Sequence, residues 1–253
     1  MFQYILVGVC AYIVVSSIPS ILRNNKNSQV IQLMNLISDE EHIFPACDDF
    51  FANMKDSEFL ARGHVIKLWA LAYHDKFDEV LDELEKINLN DLIHSEGRGS
   101  HIGLNEDSFF FLYAVIPNRL ACKGHLELCN AVYEKMDTIK EVMQHQLVCA
   151  LGEANRQCYN QEGDLGKAFY DKVMEGEYAE YVYTKELIGT YKSVIQAMRA
   201  KIFLMKDEMN QLKELKDDLQ YFDKMALGHR YLEELGLFGY YEDEEVEENQ
   251  EEA

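Results

Sequence analysis

The sequence predicts an all-α protein: stacked antiparallel helix pairs, an α-solenoid, following one N-terminal transmembrane helix. Three observations carry that expectation. Phe2 to Leu22 contains no charged side chain, and a helix that long reaches roughly 30 Å, the thickness of a hydrocarbon core. Beyond it, the long apolar patterns recur at steps of three and four, the period of one helix face. Short polar or glycine-containing turns separate these patterns at intervals suited to helix pairs.

The apolar run lacks the charged start and small-residue exit of a cleaved secretion signal. Val9 before Cys10 is equally unlike a lipid-attachment site. Arg23 and Lys26 are the nearest cations, and both follow the run. Because Lys and Arg beside a span are retained in the cytoplasm, the expected topology places the amino terminus outside and the rest of the chain inside. The expected location is therefore a cell membrane, crossed once.

Asp and Glu number 45 against 24 Lys and Arg, a net charge of −21. Such a surface disfavours nucleic acid, whose binding depends on neutralising phosphates. It favours a neutral or basic protein partner. With 48% hydrophobic residues the chain can build a core, so a globular domain is expected after the span. The six cysteines, Cys10, Cys47, Cys122, Cys129, Cys149 and Cys158, form no Cys-x-x-Cys pair. They behave as small apolar residues of a reducing compartment. The domain plan is an anchor with a basic flank over 1–26, a helical domain over 27–241, and an acidic tail over 242–253.

Val30, Leu33, Met34 and Ile37 predict an amphipathic helix over 27–38, followed by a polar connection from Ser38 to Glu41 with Pro45 as a breaker. A pair follows from Glu58 to Ile87, turning at His74-Asp75-Lys76. The unbroken apolar run Phe109 to Ile116 predicts a buried helix capped by Asp107 or Ser108 and kinked at Pro117. After Lys123-Gly124, Cys129, Val132, Met136, Ile139 and Met143 mark another helix face, continued by Leu147, Leu151, Ala154 and Cys158. The last pair is expected over Thr184 to Met205 and Glu208 to Phe222, and a closing helix over Met225 to Leu235 ends at Gly236.

One turn is more specific. In Tyr159-x3-Gly163-Asp164-x3-Ala168, the Gly suits a left-handed cap, the Asp a helix start, and the small Ala a close helix crossing. This spacing resembles the turn and second helix of the tetratricopeptide repeat family, and Gly124, Cys129, Tyr133 and Met136 follow it more loosely. The equivalent positions Phe77, Leu126, Leu165 and Met209 are wider apart than that repeat's period of roughly 34 residues. Arg156 stands where the repeat has a small residue. The resemblance spans Glu58 to Phe222 and implies a right-handed stack with a groove for peptides or helices. On that reading Tyr73, Asn155, Tyr191 and Lys192, on the first helices of the pairs, line the groove.

Two clusters offer other chemistry. His94, Glu96, Arg98 and His101 lie in the long connection 88–105 and suit an anion or a metal. The Gly-Arg-Gly-Ser run there lacks the strand and the Lys-Ser/Thr of a phosphate loop. A small-ligand sensor or enzyme with His94, Arg98 and His101 at its site is the alternative function. Glu40, Glu41, His42, Cys47, Asp48 and Asp49 match neither a zinc nor a calcium pattern and read as capping and solvated residues. No sequence motif for a cofactor, a catalytic nucleophile or a resident metal is present. The expected function is a membrane-anchored adaptor or scaffold that binds another protein. Because the carboxylates of Glu242 to Glu252 repel one another and supply no core, deletion of residues 242–253 should leave the melting temperature within a degree or two. A fall of many degrees on calorimetry would show that the tail docks on the fold.

Overall fold

In the computed structural model, which describes residues 23–95, 102–160, 163–225 and 227–241, the chain is mostly helical, with one short hairpin and a single parallel bridge between Gln146 and Val182. It divides between Ser108 and Phe109 into two compact units.

The first unit opens with α1, helical over 23–35, followed by α2 (Glu40–Asn53) and α3 (Ser57–Tyr73). Val30, Leu33 and Ile37 are buried, the face expected from their spacing. Polar contacts fix the direction of α1. Arg23 pairs with Glu58 at 3.0 Å, Asn27 accepts from Arg62 at 2.6 Å, and the Ile37 carbonyl lies 2.7 Å from His74 Nε2. Partner numbers rise together along both segments, so α1 runs parallel to α3, with α2 returning between them in sequence.

Helix α2 corrects the expected polar connection. It runs straight through Pro45, burying Ile43, Cys47 and Phe50 at steps of four and three. Asp39, one residue before the helix, caps it by accepting from the His42 N–H at 3.3 Å. Asp75, at φ 58°, reverses the chain after α3 as the sequence suggested. A 3₁₀ turn (Phe77–Glu79) leads into α4 (Val80–Lys86). The connection 88–105 is not featureless. A second 3₁₀ turn (Leu89–Leu92) precedes β1 (Ile93–Ser95), which pairs antiparallel with β2 (Ile102–Leu104) in the register Ile93 to Leu104.

The apolar run 109–116 is helical but changes register. Helix α5 (Glu106–Phe110) passes into a π-helical turn (Phe111–Val115) and then α6 (Ile116–Cys122). Its start is capped by Asn105, whose Oδ1 accepts from the Ser108 N–H at 3.3 Å, rather than by Asp107 or Ser108. Pro117 has no N–H to give the Tyr113 carbonyl, its partner in α-helical register. The buried Tyr133 hydroxyl fills that place, donating to the Tyr113 carbonyl at 3.2 Å.

The second unit continues with α7 (Leu126–Asp137), α8 (Lys140–Met143), α9 (Leu147–Tyr159) and α10 (Gly163–Met174). Its remaining helices are α11 (Ile188–Met205), α12 (Met209–Glu214), α13 (Lys216–Asp223) and α14 (Gly228–Glu234). Gly236 takes a φ of 72°, the left-handed end expected of it, and Gly124, at 85°, ends α6 in the same way. The α9–α10 turn departs from expectation in detail. Gly163 begins α10, and Ala168 is exposed. The close crossing falls at Gly166, where a Cβ would lie 2.6 Å from the Ala154 carbonyl oxygen. Gly152 plays the same part on α9, since a Cβ there would lie 2.1 Å from the Tyr113 ring.

Neighbours in sequence pack together, as in α6 with α7 and α9 with α10, but α14 also returns onto α6. Arg119 pairs with Glu234 at 3.1 Å, and Asn118 donates to the same carboxylate at 3.0 Å. An open stack has no such closing contact. Replacing Tyr133 with Phe should destabilise the protein by about 1–3 kcal/mol, because a buried carbonyl loses its donor while the ring's packing is kept. Urea unfolding would measure this, and an unchanged midpoint would mean that Tyr113 finds another donor.

Candidate functional site

The residues expected to line one groove fall in both units and lie at different depths. Tyr73 is in the first unit, half-buried at the end of α3, with its ring edge-on to His74 at 5.0 Å. Asn155 and Tyr191 are in the second unit and are fully buried, at 0% exposure. Asn155 accepts from the Tyr170 hydroxyl at 2.7 Å, while its Nδ2 has no hydrogen-bond partner. Tyr191 packs at 5.6 Å from the Phe110 ring. Such positions belong to the core, so these two residues offer no side-chain surface to a partner. Lys192 is half-buried, its ammonium 5.4 Å from the centre of the Tyr178 ring. Of the alternative site, His94 lies on β1 opposite Gly103. Arg98 and His101 fall outside the described residues.

The acidic cluster near α2 disperses along the helix. Cys47 is buried, whereas the Asp48 side chain is 71% exposed and meets Lys67 at 3.1 Å. Among the described residues, no group of three or more His, Cys, Asp and Glu side chains is placed to hold a metal ion.

Two constellations missed by sequence reasoning stand out. In the first unit, Glu83 on α4 is 2% exposed, yet it meets His64 Nδ1 at 2.6 Å and Lys86 Nζ at 3.0 Å. His64 in turn stacks on Phe51 of α2, ring centres 4.2 Å apart. Burial alone would raise the Glu83 carboxyl, but hydrogen bonds from His64 and Lys86 outweigh it and hold the group below its usual range. Cys47 lies in the same electrostatic neighbourhood, and burial pushes its thiol up to about 12. A thiol so raised is a poor nucleophile, so the arrangement reads as an ion-pair network joining α2, α3 and α4.

In the second unit, α10, α11 and α12 enclose a cleft of about 480 Å³. Phe203 and Leu215, both buried, form its apolar part. Lys167, Arg199 and Lys206 line it from α10 and the end of α11, and Glu208, Gln211 and Glu214 from the α12 segment. Asp171 holds Lys167 at 2.6 Å and Arg199 at 3.0 Å, and Asp164 pairs with Lys206 at the mouth. The Lys167 and Arg199 cations lie 5.7 and 5.9 Å from the centre of the Phe203 ring. The cleft thus carries charges of both signs around an aromatic surface, an arrangement suited to a polar chain segment with an apolar side chain. Lys167 on α10 and Arg199 and Lys206 on and at the end of α11 are far apart in sequence and leave no local motif, which is why the cleft was not legible beforehand.

No family model, curated protein or solved structure matches this chain. Among the described residues no helix is long and apolar enough to cross a membrane, and the apolar run 2–22 lies outside them.

The Glu83 network gives a pH test. A carboxyl lowered on folding contributes stability above its unfolded value, near 4.5, that is lost as pH falls through the folded value. Glu83→Gln should therefore lower the melting temperature at neutral pH and flatten its decline below about pH 4.5. A parallel downward shift at every pH would show that the loss comes from packing and not from charge.

Proposed function

We propose that this chain is a membrane-anchored helical protein that binds another protein, an adaptor or scaffold, at the cleft between α10, α11 and α12. The observation carrying this reading is the cleft's mouth. Leu165 and Met205, each 61% exposed, are the chain neighbours of the paired Asp164 and Lys206. Neither lines the cleft itself. Two large apolar side chains left in water one residue along the chain from cleft residues suit a partner segment that extends past the cleft and buries them. The chain's net charge of −21 favours a neutral or basic partner. The pairs α6–α7 and α9–α10 supply the tetratricopeptide-like part of the reading, a stack of helix pairs that presents such a face. Residues 2–22 are the anchor, with Arg23 and Lys26 on the cytoplasmic side.

The test uses the full-length chain in its membranes with a photo-crosslinking side chain at Leu165, Met205 or Ile31, the last being 54% exposed in the first unit. The 165 and 205 positions should capture the same polypeptide and position 31 should not. Leu165→Glu with Met205→Glu should reduce that capture at least about tenfold without moving the melting temperature. An identical pattern from all three positions would sink the cleft as the binding face.

A further inference from the structure

Every cation lining the cleft between α10, α11 and α12 already has a carboxylate. Lys167 and Arg199 share Asp171, at 2.6 and 3.0 Å, and Lys206 pairs with Asp164. Arg199 also donates from Nη1 to Gln196 Oε1 at 2.6 Å. The α12 wall is unlike this. Glu208, directly before α12, and Glu214, its last residue, line the cleft with Gln211 between them. Among the described residues none of these three side chains has an ion-pair or hydrogen-bond partner. Lys206 stands two residues before Glu208, but its hydrogen bond goes to Asp164, and Glu208 acts on it without one. Counting Asp171, four carboxylates surround three cations, so the unmet charge in the cleft is negative. Steps of three residues along α12 separate Glu208, Gln211 and Glu214 by roughly 4.5 Å of rise each. Leu215 and Phe203, both buried, form the apolar floor.

We propose that the cleft is a pocket for one lysine or arginine side chain of the partner, its stem against Phe203 and Leu215 and its cationic head among Glu208, Gln211 and Glu214. The inference rests on the cleft being the binding face and names the chemistry that the face selects. Lysine and arginine lay their methylene stems along apolar surface while the charge stays in a polar environment, which is the division this cleft offers. The incoming cation meets two carboxylates and an amide oxygen without breaking an ion pair. An anionic side chain meets the opposite situation. It reaches Lys167, Arg199 or Lys206 only by displacing Asp171 or Asp164, and then lies among an excess of carboxylates. Leu165 and Met205, exposed one residue along from Asp164 and Lys206, require apolar neighbours. The recognised segment is therefore basic at its centre and apolar on either side.

The experiment uses the full-length chain in neutral detergent, with the photo-crosslinking side chain at position 165 and position 31 as the control. The probes are capped pentapeptides, Ala-Leu-Xaa-Leu-Ala, carrying an uncharged fluorophore, in which Xaa is Arg, norleucine or Glu. Capture of the Arg probe from position 165 should exceed that of the Glu probe at least about tenfold, the worth of one charge-assisted hydrogen bond. It should exceed that of the norleucine probe severalfold. Glu208→Gln with Glu214→Gln should bring the Arg and norleucine probes level, with norleucine capture and melting temperature unchanged. Equal capture of all three probes by the unaltered chain, above the level at position 31, would overturn the basic pocket and leave the cleft as a binding face. A preference for the Glu probe would overturn it too, showing the three cations to be open to a ligand. So would an Arg preference that survives both substitutions, since the cation would then lie elsewhere. Capture no greater at position 165 than at position 31 for every probe would remove the cleft and the pocket together.

Discussion

Pro117 has no N–H, and the second unit is arranged around that missing donor. A proline within a buried apolar helix would leave a carbonyl without a partner, which costs about 1–3 kcal/mol. Here the chain widens into a π turn just before it, with the Ile116 N–H reaching the Phe111 carbonyl, and the Tyr133 hydroxyl satisfies Tyr113. The Tyr113 ring then lies in the space left by Gly152, and its hydroxyl donates to Cys149 Sγ at 3.5 Å. Immediately beyond the proline, Asn118 and Arg119 are buried and turned to Glu234 on α14. The Tyr159 hydroxyl donates to Asn118 Oδ1 at 3.1 Å, drawing α9 into the same network.

That network stabilises one arrangement more than it stabilises the protein. Burial keeps the Glu234 carboxyl above its usual range even though Arg119, Arg230 and Asn118 all favour its charged form. For this carboxylate the cost of burial exceeds the attraction of its partners, which is common for a buried ion pair and makes the cluster weak evidence of stability. Losing a single member is another matter, costing roughly 3–5 kcal/mol by stranding a buried charge. The cluster selects the packing in which α14 closes on α6. The buried thiols nearby follow the same dielectric logic. Burial raises Cys129 to about 12, and Cys158 and the half-buried Cys122 to about 11, so they stay protonated.

The helices themselves were legible because burial of one face writes a period of 3.6 into the chain. Val30, Leu33 and Ile37, Val80 and Leu84, and Cys129, Val132 and Met136 are buried as this period marks, while Met34 is half-buried and Leu81 is exposed. What the period could not give was depth. Asn155 and Tyr191 read as groove residues because a polar or amphipathic side chain on a first helix usually meets water, yet each is enclosed by neighbours contributed from distant sequence. Pro45 misled for a related reason. It sits one turn inside α2, where the packing of Ile43, Cys47 and Phe50 outweighs the one backbone hydrogen bond a proline removes. The cleft and the Glu83 network were invisible in the same way, since each joins charges from separate elements: α10, α11 and the α12 segment for the cleft, and α3 and α4 for Glu83.

Magnitudes also separate what fastens α1 from what orients it. Arg23 is 56% exposed and the Lys26–Asp56 pair about one-third exposed, so each of these ion pairs contributes about 0–1 kcal/mol. Burying Val30, Leu33 and Ile37 contributes roughly 1.5–3 kcal/mol apiece. The apolar face therefore holds the helix down, and it would do so almost equally well with the helix slid or turned by a few degrees. Directional contacts remove that freedom. Arg62 reaches Asn27, His74 reaches the Ile37 carbonyl, and two cations find carboxylates beside one aromatic ring. Weak individually, they act at both ends of a helix about 20 Å long, where a small angular error produces the largest displacement. The polar contacts at both ends therefore fix the register and direction in which α1 lies along α3.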